Sequence, residues 1–139
     1  MSERDVLERA RILLADDHGD FLTAVTGVLN PHYEVVGAVS DGQAALNAAK
    51  LLGPDVLVLD ISMPNMTGIE TARQIKVAGS VAKIVFLTVH EDDDYVRGAF
   101  EAGAQAYVVK SRLVTDLPLA LLEVLAGRTF VSPFKSNVT

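Results

Sequence analysis

The sequence contains no cysteine and no tryptophan, and only 6% of its 139 residues are aromatic. Without cysteine the chain forms neither disulfides nor thiolate metal sites, which suits a reducing, cytoplasmic environment. The chain also has no excess of basic residues. It contains 12 Lys and Arg and 18 Asp and Glu, which gives a net charge of −6. We therefore expect this chain alone to bind neither DNA nor RNA.

No apolar run has the length of a membrane span. The first ten residues, MSERDVLERA, are charged, and the apolar stretch 12–15 is far too short for a signal peptide core or a membrane helix. Half of the residues are nevertheless hydrophobic, which is enough for one domain with a buried core. These features predict a soluble cytoplasmic protein that makes no use of a membrane.

Strand-like and helix-like segments alternate along the chain. Short apolar runs predict five strands, and each is followed by a stretch with apolar residues at helical spacing. The strands are expected at residues 11–16, 33–40, 55–60, 83–89 and 106–110. Such alternation predicts an α/β fold, a doubly wound parallel sheet with helices on both faces.

Capping residues predict where several helices begin. We expect N-caps at Asp41, Thr67 and Thr115, with Thr67 and Glu70 forming a T-x-x-E capping box. At the chain ends, residues 1–10 are expected to form an N-terminal extension. Residues 128–139 lose periodicity and are expected to form a tail or the start of a linker.

Polar residues end four of the predicted strands. Asp16 and Asp17 end the first strand, Asp60 the third, Thr88 the fourth and Lys110 the fifth. Ligands bind such sheets in the crevice at the carboxyl ends of the strands, so we expect these side chains to converge. Adjacent carboxylates repel each other unless water or a cation separates them, and an all-oxygen set suits Mg²⁺.

This combination has the chemistry of phosphoryl transfer. Mg²⁺ held by carboxylates is a common clamp on a phosphoryl group, and Lys110 and Thr88 add a positive charge and a hydrogen-bond donor. A carboxylate can itself be the nucleophile, and Asp60 is best placed because it ends the most buried strand. Each residue taken singly is more simply explained as a cap, a turn residue or a solvated strand end, so the prediction depends on the combination.

Four stretches make the chain similar to the receiver domain of two-component response regulators: LLADDH, VLVLDISMPNMTGIE, IVFLTVHED and GAQAYVVKS. The resemblance spans roughly residues 11–127, and the D-x-x-M-P-x-x-x-G string that begins at Asp60 is its most specific part. It implies a flavodoxin-like (βα)5 fold with strand order 2-1-3-4-5.

The resemblance also implies the roles of the acidic residues. Asp60 would accept a phosphoryl group from a sensor histidine kinase or a small phosphodonor. Asp17, Asp60 and the main-chain carbonyl of Ser62 would hold Mg²⁺ or Mn²⁺, and Asp16 would reach the ion through water.

A conformational switch is part of the same expectation. Lys110 and Thr88 would contact the phosphoryl oxygens, Thr88 would move toward them, and Tyr107 would turn inward behind Thr88. This would reshape the surface of the fourth helix, the fifth strand and the fifth helix.

Three residues beside the site are expected to tune its rates, namely Ser62, Val89 and His90. Val89 stands where the family often has a smaller residue, so it would narrow access to Asp60. We expect Val89 and His90 together to slow phosphoryl exchange. Ser111 replaces a proline found in many receivers, a difference that is common in the DNA-binding subfamily.

The stretches 91–111 and AGRTFVSP are most similar to receivers of the NarL/FixJ (LuxR-type) subfamily, which precede a helix-turn-helix domain. We therefore expect a fragment of a transcriptional response regulator, which would reach DNA through a C-terminal helix-turn-helix domain absent from this chain. A homodimer on phosphorylation is a further expectation. Its candidate contacts are better explained as core packing: Tyr95, Val96 and Phe100 in one helix, and Leu121 and Val124 in another.

Three other functions stay open. A Mg²⁺-dependent phosphatase or phosphotransferase would act on a free substrate, but Ser62 stands where a second acid would serve as its general acid. A flavin-binding module would carry a Gly-, Ser- and Thr-rich loop after the first strand, where this chain has Asp16 and Asp17. A stand-alone or degenerate receiver would act as an interaction module. The leading prediction is a signalling switch that is not an enzyme beyond the chemistry of its own Asp60.

Overall fold

A parallel sheet with helices on both faces organises residues 9–134, the part of the chain that this computed structural model describes. The strands are β1 (Arg11–Ala15), β2 (Glu34–Val39), β3 (Val56–Leu59), β4 (Lys83–Thr88), β5 (Ala106–Val109) and β6 (Phe130–Val131). The helices are α1 (Gly19–Leu29), α2 (Gly42–Leu52), α3 (Gly68–Val77), α4 (Asp93–Glu101) and α5 (Leu113–Leu125). A 3-10 turn, Lys110–Arg112, joins β5 to α5.

The strand order is β2-β1-β3-β4-β5-β6, which confirms the predicted flavodoxin-like fold and its order 2-1-3-4-5. All strand pairs are parallel. Among residues 9–134, no helix is both long enough and apolar enough to cross a membrane.

Alternate residues of the central strands serve two separate cores, as the period of two in a strand requires. Leu13 and Leu57 pack on the side of α2, α3 and α4, in a core that includes Ala45 and Ile75. Their neighbours along each strand pack on the side of α1 and α5. This explains why the central strands read as continuous apolar runs.

Two of the three predicted caps are confirmed. The side chain of Asp41 accepts a hydrogen bond from the main-chain nitrogen of Ala44 at 2.8 Å, and Thr67 accepts one from that of Glu70 at 3.1 Å. The predicted cap at Thr115 is wrong, because the 3-10 turn runs directly into α5 and leaves no extended residue to serve as a cap.

The chain after α5 does not remain a simple tail. Gly127 adopts a positive φ of 82°, which reverses the chain, and β6 then pairs with β5 through Ala106 with Phe130 and Tyr107 with Val131. The sequence offered no periodicity for this two-residue strand. The predicted extension and tail lie partly outside the described residues, since positions 1–8 and 135–139 are not described.

The candidate dimer contacts on the last helix are core residues. Leu121 and Val124 are fully buried, which confirms core packing as their explanation. The apolar residues that α5 exposes are different ones: Val114, Leu119, Leu122 and Leu125.

Candidate functional site

The ends of β1 and β3 bring two carboxylates together at one edge of the sheet. The main-chain nitrogen of Asp16 donates to Val39 at 3.0 Å, and that of Asp60 donates to Ala15 at 2.9 Å, so both residues extend the ladder of hydrogen bonds. Asp16 is 5% exposed and Asp60 is 4% exposed. Buried carboxylates need compensation by hydrogen bonds or positive charge.

Lys110 supplies that charge from the end of β5. Its Nζ lies 2.6 Å from Oδ2 of Asp16 and 3.1 Å from Oδ2 of Asp60. The ammonium also lies 4.2 Å from the centre of the Phe21 ring, a cation–π contact from α1. Phe21 also packs against the core between α1 and α5, and its contact with Lys110 is a tertiary contact that helical spacing does not predict.

His18 joins the acidic residues. Its Nδ1 lies 3.0 Å from Oδ1 of Asp16 and 3.0 Å from Oδ1 of Asp17. Together with Asp60 these residues offer ligand atoms within 4.8 Å of one another, an arrangement that could hold a metal ion. Three carboxylates fit a hard divalent cation. The signal in the sequence for His18 is its position directly after the acid pair.

The loop after β3 fixes the backbone and side chain of Asp60. Oδ1 of Asp60 accepts from the main-chain nitrogen of Ile61 at 2.7 Å, and the nitrogen of Gly68 donates to the carbonyl of Ile61 at 2.7 Å. A Cβ at Gly68 would overlap the carbonyl oxygen of Asp60, so only glycine permits α3 to begin so close to the site. Ser62 is exposed in this loop.

A second cluster lies beside the site, around His90. The main-chain nitrogen of His90 donates to Oγ1 of the buried Thr88 at 3.4 Å, and its Nε2 lies 2.9 Å from Oγ of Ser62. The ring of Tyr95 stacks on His90 with 4.3 Å between centroids. The Tyr107 hydroxyl donates to the carbonyl of His90 at 2.9 Å, so Tyr107 is buried and directed inward in this conformation.

The environment of Tyr107 keeps its hydroxyl protonated. Burial raises the pKa of Tyr107 far above its ordinary value, and the charge of Asp92 and the neighbouring Tyr95 and Asp60 add to the increase. The phenol therefore remains a hydrogen-bond donor across the physiological pH range.

Val89 lies outside the cluster of charges. It is 66% exposed and borders an open groove that Phe21, Ala24 and Lys110 also line. Its predicted effect on access to Asp60, like the predicted rate effects of Ser62 and His90, stays a prediction.

The fold and the site place this chain among α/β proteins that carry acidic residues and a lysine at the carboxyl ends of a parallel sheet. Residues 12–121 match the family model of the response regulator receiver domain, and the chain belongs to this family.

The similar proteins narrow this class to relatives of the NarL and GacA type. The chain is 33% identical to the response regulator GacA from Pseudomonas viridiflava over 125 residues, which cover 88% of this chain and 58% of GacA. It is 35% identical to the nitrate/nitrite response regulator protein NarL from Escherichia coli K12 over 127 residues, which cover 90% of this chain and 59% of NarL. The chain thus spans less than two thirds of the length of these relatives.

Solved structures agree with this placement. A two-component response regulator of the LuxR family from Aurantimonas superposes with a TM-score of 0.86 at 35% identity, and the match covers 91% of each chain. The isolated REC domain of RcsB from Salmonella enterica serovar Typhimurium, in the presence of the phosphomimetic BeF3−, gives a TM-score of 0.83 at 28% identity, covering 90% of this chain and 94% of the other.

Proposed function

We propose that this chain is the phosphoacceptor switch of a two-component system, and that Asp60 receives the phosphoryl group from a sensor histidine kinase. The observation that carries the proposal is the position of Lys110, whose ammonium lies within 3.1 Å of both Asp16 and Asp60. A buried carboxylate with a cation beside one oxygen is equipped to receive a phosphoryl group whose negative charge the cation then faces.

The side chain of Asp60 is oriented for this attack. Its Oδ1 is occupied by the main-chain nitrogen of Ile61, whereas Oδ2 faces Lys110. In the transfer, an oxygen of Asp60 forms a bond to phosphorus while the bond between phosphorus and the donor atom breaks. Lys110, and Thr88 once it moves, then contact the phosphoryl oxygens.

The acidic cluster fits a divalent cation. Asp17, Asp60 and the main-chain carbonyl of Ser62 would hold Mg²⁺ or Mn²⁺, with Asp16 reaching it through water. When bound, the ion neutralises charge on the transferring phosphoryl group. Asp17 is exposed and Asp16 is buried, so the cluster offers one solvent-facing and one interior carboxylate.

The chemistry we propose is confined to the protein's own aspartate, so the chain is not an enzyme for free substrates. The alternative is a stand-alone or degenerate receiver that only binds partners. The contacts among Asp16, Asp60 and Lys110 favour the active switch, because a degenerate site has no need to keep this charged set together.

We also propose that the chain is the receiver part of a transcriptional response regulator. The relatives include the transcriptional regulatory protein DegU from Brevibacillus brevis, of which the match covers 57%. A solved structure of RcsB contains two dimers bound to two parallel DNAs. By analogy, this receiver would form a homodimer on phosphorylation, and DNA would be bound by a helix-turn-helix domain rather than by this acidic chain.

Intact mass after incubation with acetyl phosphate and Mg²⁺ tests the central proposal. We expect one added phosphoryl group on the unmodified chain and none on Asp60→Asn or in the presence of a chelator. If a folded chain takes up no phosphoryl group from acetyl phosphate or from a histidine kinase, the interaction-module alternative replaces the switch.

A further inference from the structure

Ser132, which follows β6, is a buried connection between the C-terminal segment and β5. It is 2% exposed. Its main-chain nitrogen donates to the carbonyl of Tyr107 at 2.8 Å, and its Oγ accepts from the main-chain nitrogen of Val109 at 3.2 Å. One residue of the apparent tail therefore holds the backbone of β5 at two points, and one of them directly precedes Lys110.

The same hydroxyl reaches a buried carboxylate. Ser132 Oγ donates to Oδ2 of Asp116 at 2.7 Å, and Asp116, in the first turn of α5, is 2% exposed. Arg112 donates to the same oxygen at 2.7 Å, and Thr115 donates to the other at 3.1 Å. A buried charge with this many donors is costly to disturb, so the group is a rigid unit.

The unit formed by Ser132, Asp116 and Arg112 contacts both ends of the turn that carries Lys110. Val109 precedes Lys110 and is held by Ser132, and Arg112 closes the 3-10 turn and is held by Asp116. Ser132 thus fixes the backbone directly before Lys110, and Asp116 holds the side chain that ends the turn. The proposed phosphorylation chemistry uses neither Ser132 nor Asp116. The reach of the Lys110 ammonium to Asp16 and Asp60 depends on this backbone position.

We propose that Ser132 and Asp116 are positioning residues of the phosphorylation site, and that they couple the C-terminal strand β6 to the state of Asp60. The inference rests on the proposed function. Tyr107 is the β5 residue that the switch is expected to move, and its carbonyl accepts a hydrogen bond from the main-chain nitrogen of Ser132. Lys110 directly follows Val109, whose main-chain nitrogen donates to Oγ of Ser132. The segment that leads out of the domain then senses phosphorylation directly.

Phosphoryl transfer from acetyl phosphate, followed by intact mass at a series of donor concentrations, tests the positioning role. For Ser132→Ala we expect the maximal rate to fall on the order of tenfold, because Lys110 is displaced from the transition-state charge. The donor concentration at half-maximal rate should change little. Ser111→Ala is the matched control, since it makes the same change at an exposed position next to Lys110.

A double variant asks whether the two residues act together. If Ser132 and Asp116 act through one hydrogen-bonded unit, then Ser132→Ala combined with Asp116→Asn should lose no more rate than the more damaging single change. Multiplied losses would mean separate effects and would contradict the shared role.

Amide hydrogen exchange on the unmodified chain tests the coupling without any substitution at the unit. We expect the exchange rate of the Ser132 amide to change when acetyl phosphate and Mg²⁺ are added, and to stay constant in Asp60→Asn. This measurement also decides the matter if Ser132→Ala does not fold.

Two results overturn the inference while leaving the proposed function intact. One is a maximal rate for folded Ser132→Ala within about twofold of the unmodified chain. The other is a Ser132 amide that exchanges equally fast before and after phosphorylation. If the unmodified chain takes up no phosphoryl group, the proposed function fails and this inference fails with it.

Discussion

At the scale of residues, two carboxylates on α5, Asp116 and Glu123, show how the surroundings of a charged group determine its pKa and its contribution to stability. Burial alone would raise the pKa of Asp116, but hydrogen bonds from Arg112, Ser132 and Thr115 outweigh it and hold the pKa below its ordinary value. The hydrogen bond from Arg128 also lowers the pKa of Glu123, but this carboxylate is partly exposed at the surface, so solvent screens the pair.

We predict that Asp116→Asn lowers the free energy of unfolding at neutral pH by about 2 kcal/mol, because hydrogen bonds to a buried charge are weakened. A depressed pKa means that this stability is present above the unfolded-state value near 4 and is lost as pH falls through the folded-state pKa. Urea unfolding from pH 7 to pH 3 measures the effect, and the gap between variant and unmodified chain should close at the acid end.

Glu123→Gln is the control for this prediction, because it removes a carboxylate of the same helix that is bonded to an arginine at the surface. We expect a smaller loss and a weaker dependence on pH. Equal losses in the free energy of unfolding for the two variants would show that the burial of Asp116 does not make its hydrogen bonds more stabilising, and would contradict the prediction.

At the scale of elements, the start of α3 is fitted against the end of β3. Gly68 is the first residue of α3, and a Cβ there would collide with the carbonyl of Asp60 and the backbone of Ile61. The helix terminus therefore determines where the Asp60 backbone lies. Glycine is needed for close approach here, since its φ is not in the left-handed region.

We predict that Gly68→Ala lowers the free energy of unfolding by about 2 kcal/mol, in the range of overpacked sites, and slows phosphorylation of Asp60. Denaturant unfolding and intact mass measure the two effects.

The matched control is Gly98→Ala in the interior of α4, where a Cβ would meet only the Ile69 side chain, at 3.4 Å. Alanine is a better helix former than glycine by up to about 1 kcal/mol, so this variant should be neutral or more stable. A Gly68→Ala chain as stable and as reactive as Gly98→Ala would contradict the close fit.

At the scale of the whole molecule, the site is an assembly of charges from three strands. Asp16 follows β1, Asp60 follows β3 and Lys110 follows β5, and only the assembled sheet brings the ammonium within ion-pair distance of both carboxylates. One ammonium is set against the carboxylates of Asp16, Asp17 and Asp60, which leaves net negative charge for a divalent cation.

We predict that Lys110→Met lowers the free energy of unfolding in chelator by about 3 kcal/mol, because buried carboxylates lose their partner. Mg²⁺ should then stabilise the variant more than it stabilises the unmodified chain, since the competing ammonium is gone and ligand binding adds to stability. Thermal unfolding with Mg²⁺ and with chelator measures both quantities.

Lys50→Met, at an exposed position of α2, is the control and should leave the Mg²⁺ effect unchanged. An equal Mg²⁺ stabilisation in Lys110→Met and in the unmodified chain would mean that Lys110 does not compete with the ion, and would argue against a shared site.

The sequence by itself determined the alternation of strands and helices, the strand order implied by the resemblance, and the polar residues at the strand ends. The strand order came from the resemblance alone. The elements and their ends are local features, because an apolar run predicts a buried strand and a polar residue after it marks the strand end. Asp41 and Thr67 were recognisable as caps for the same reason, because a cap acts within four residues of itself.

Only the tertiary structure decided which side chains meet. The contact of Phe21 with Lys110 and the hydrogen bond of Ser132 to Asp116 join segments whose approach no spacing rule encodes. The sixth strand is two residues long, too short to show periodicity in the sequence. It forms because the edge of β5 offers backbone groups with which it can pair. The cap predicted at Thr115 is wrong because α5 begins two residues earlier, at Leu113, directly after the 3-10 turn Lys110–Arg112.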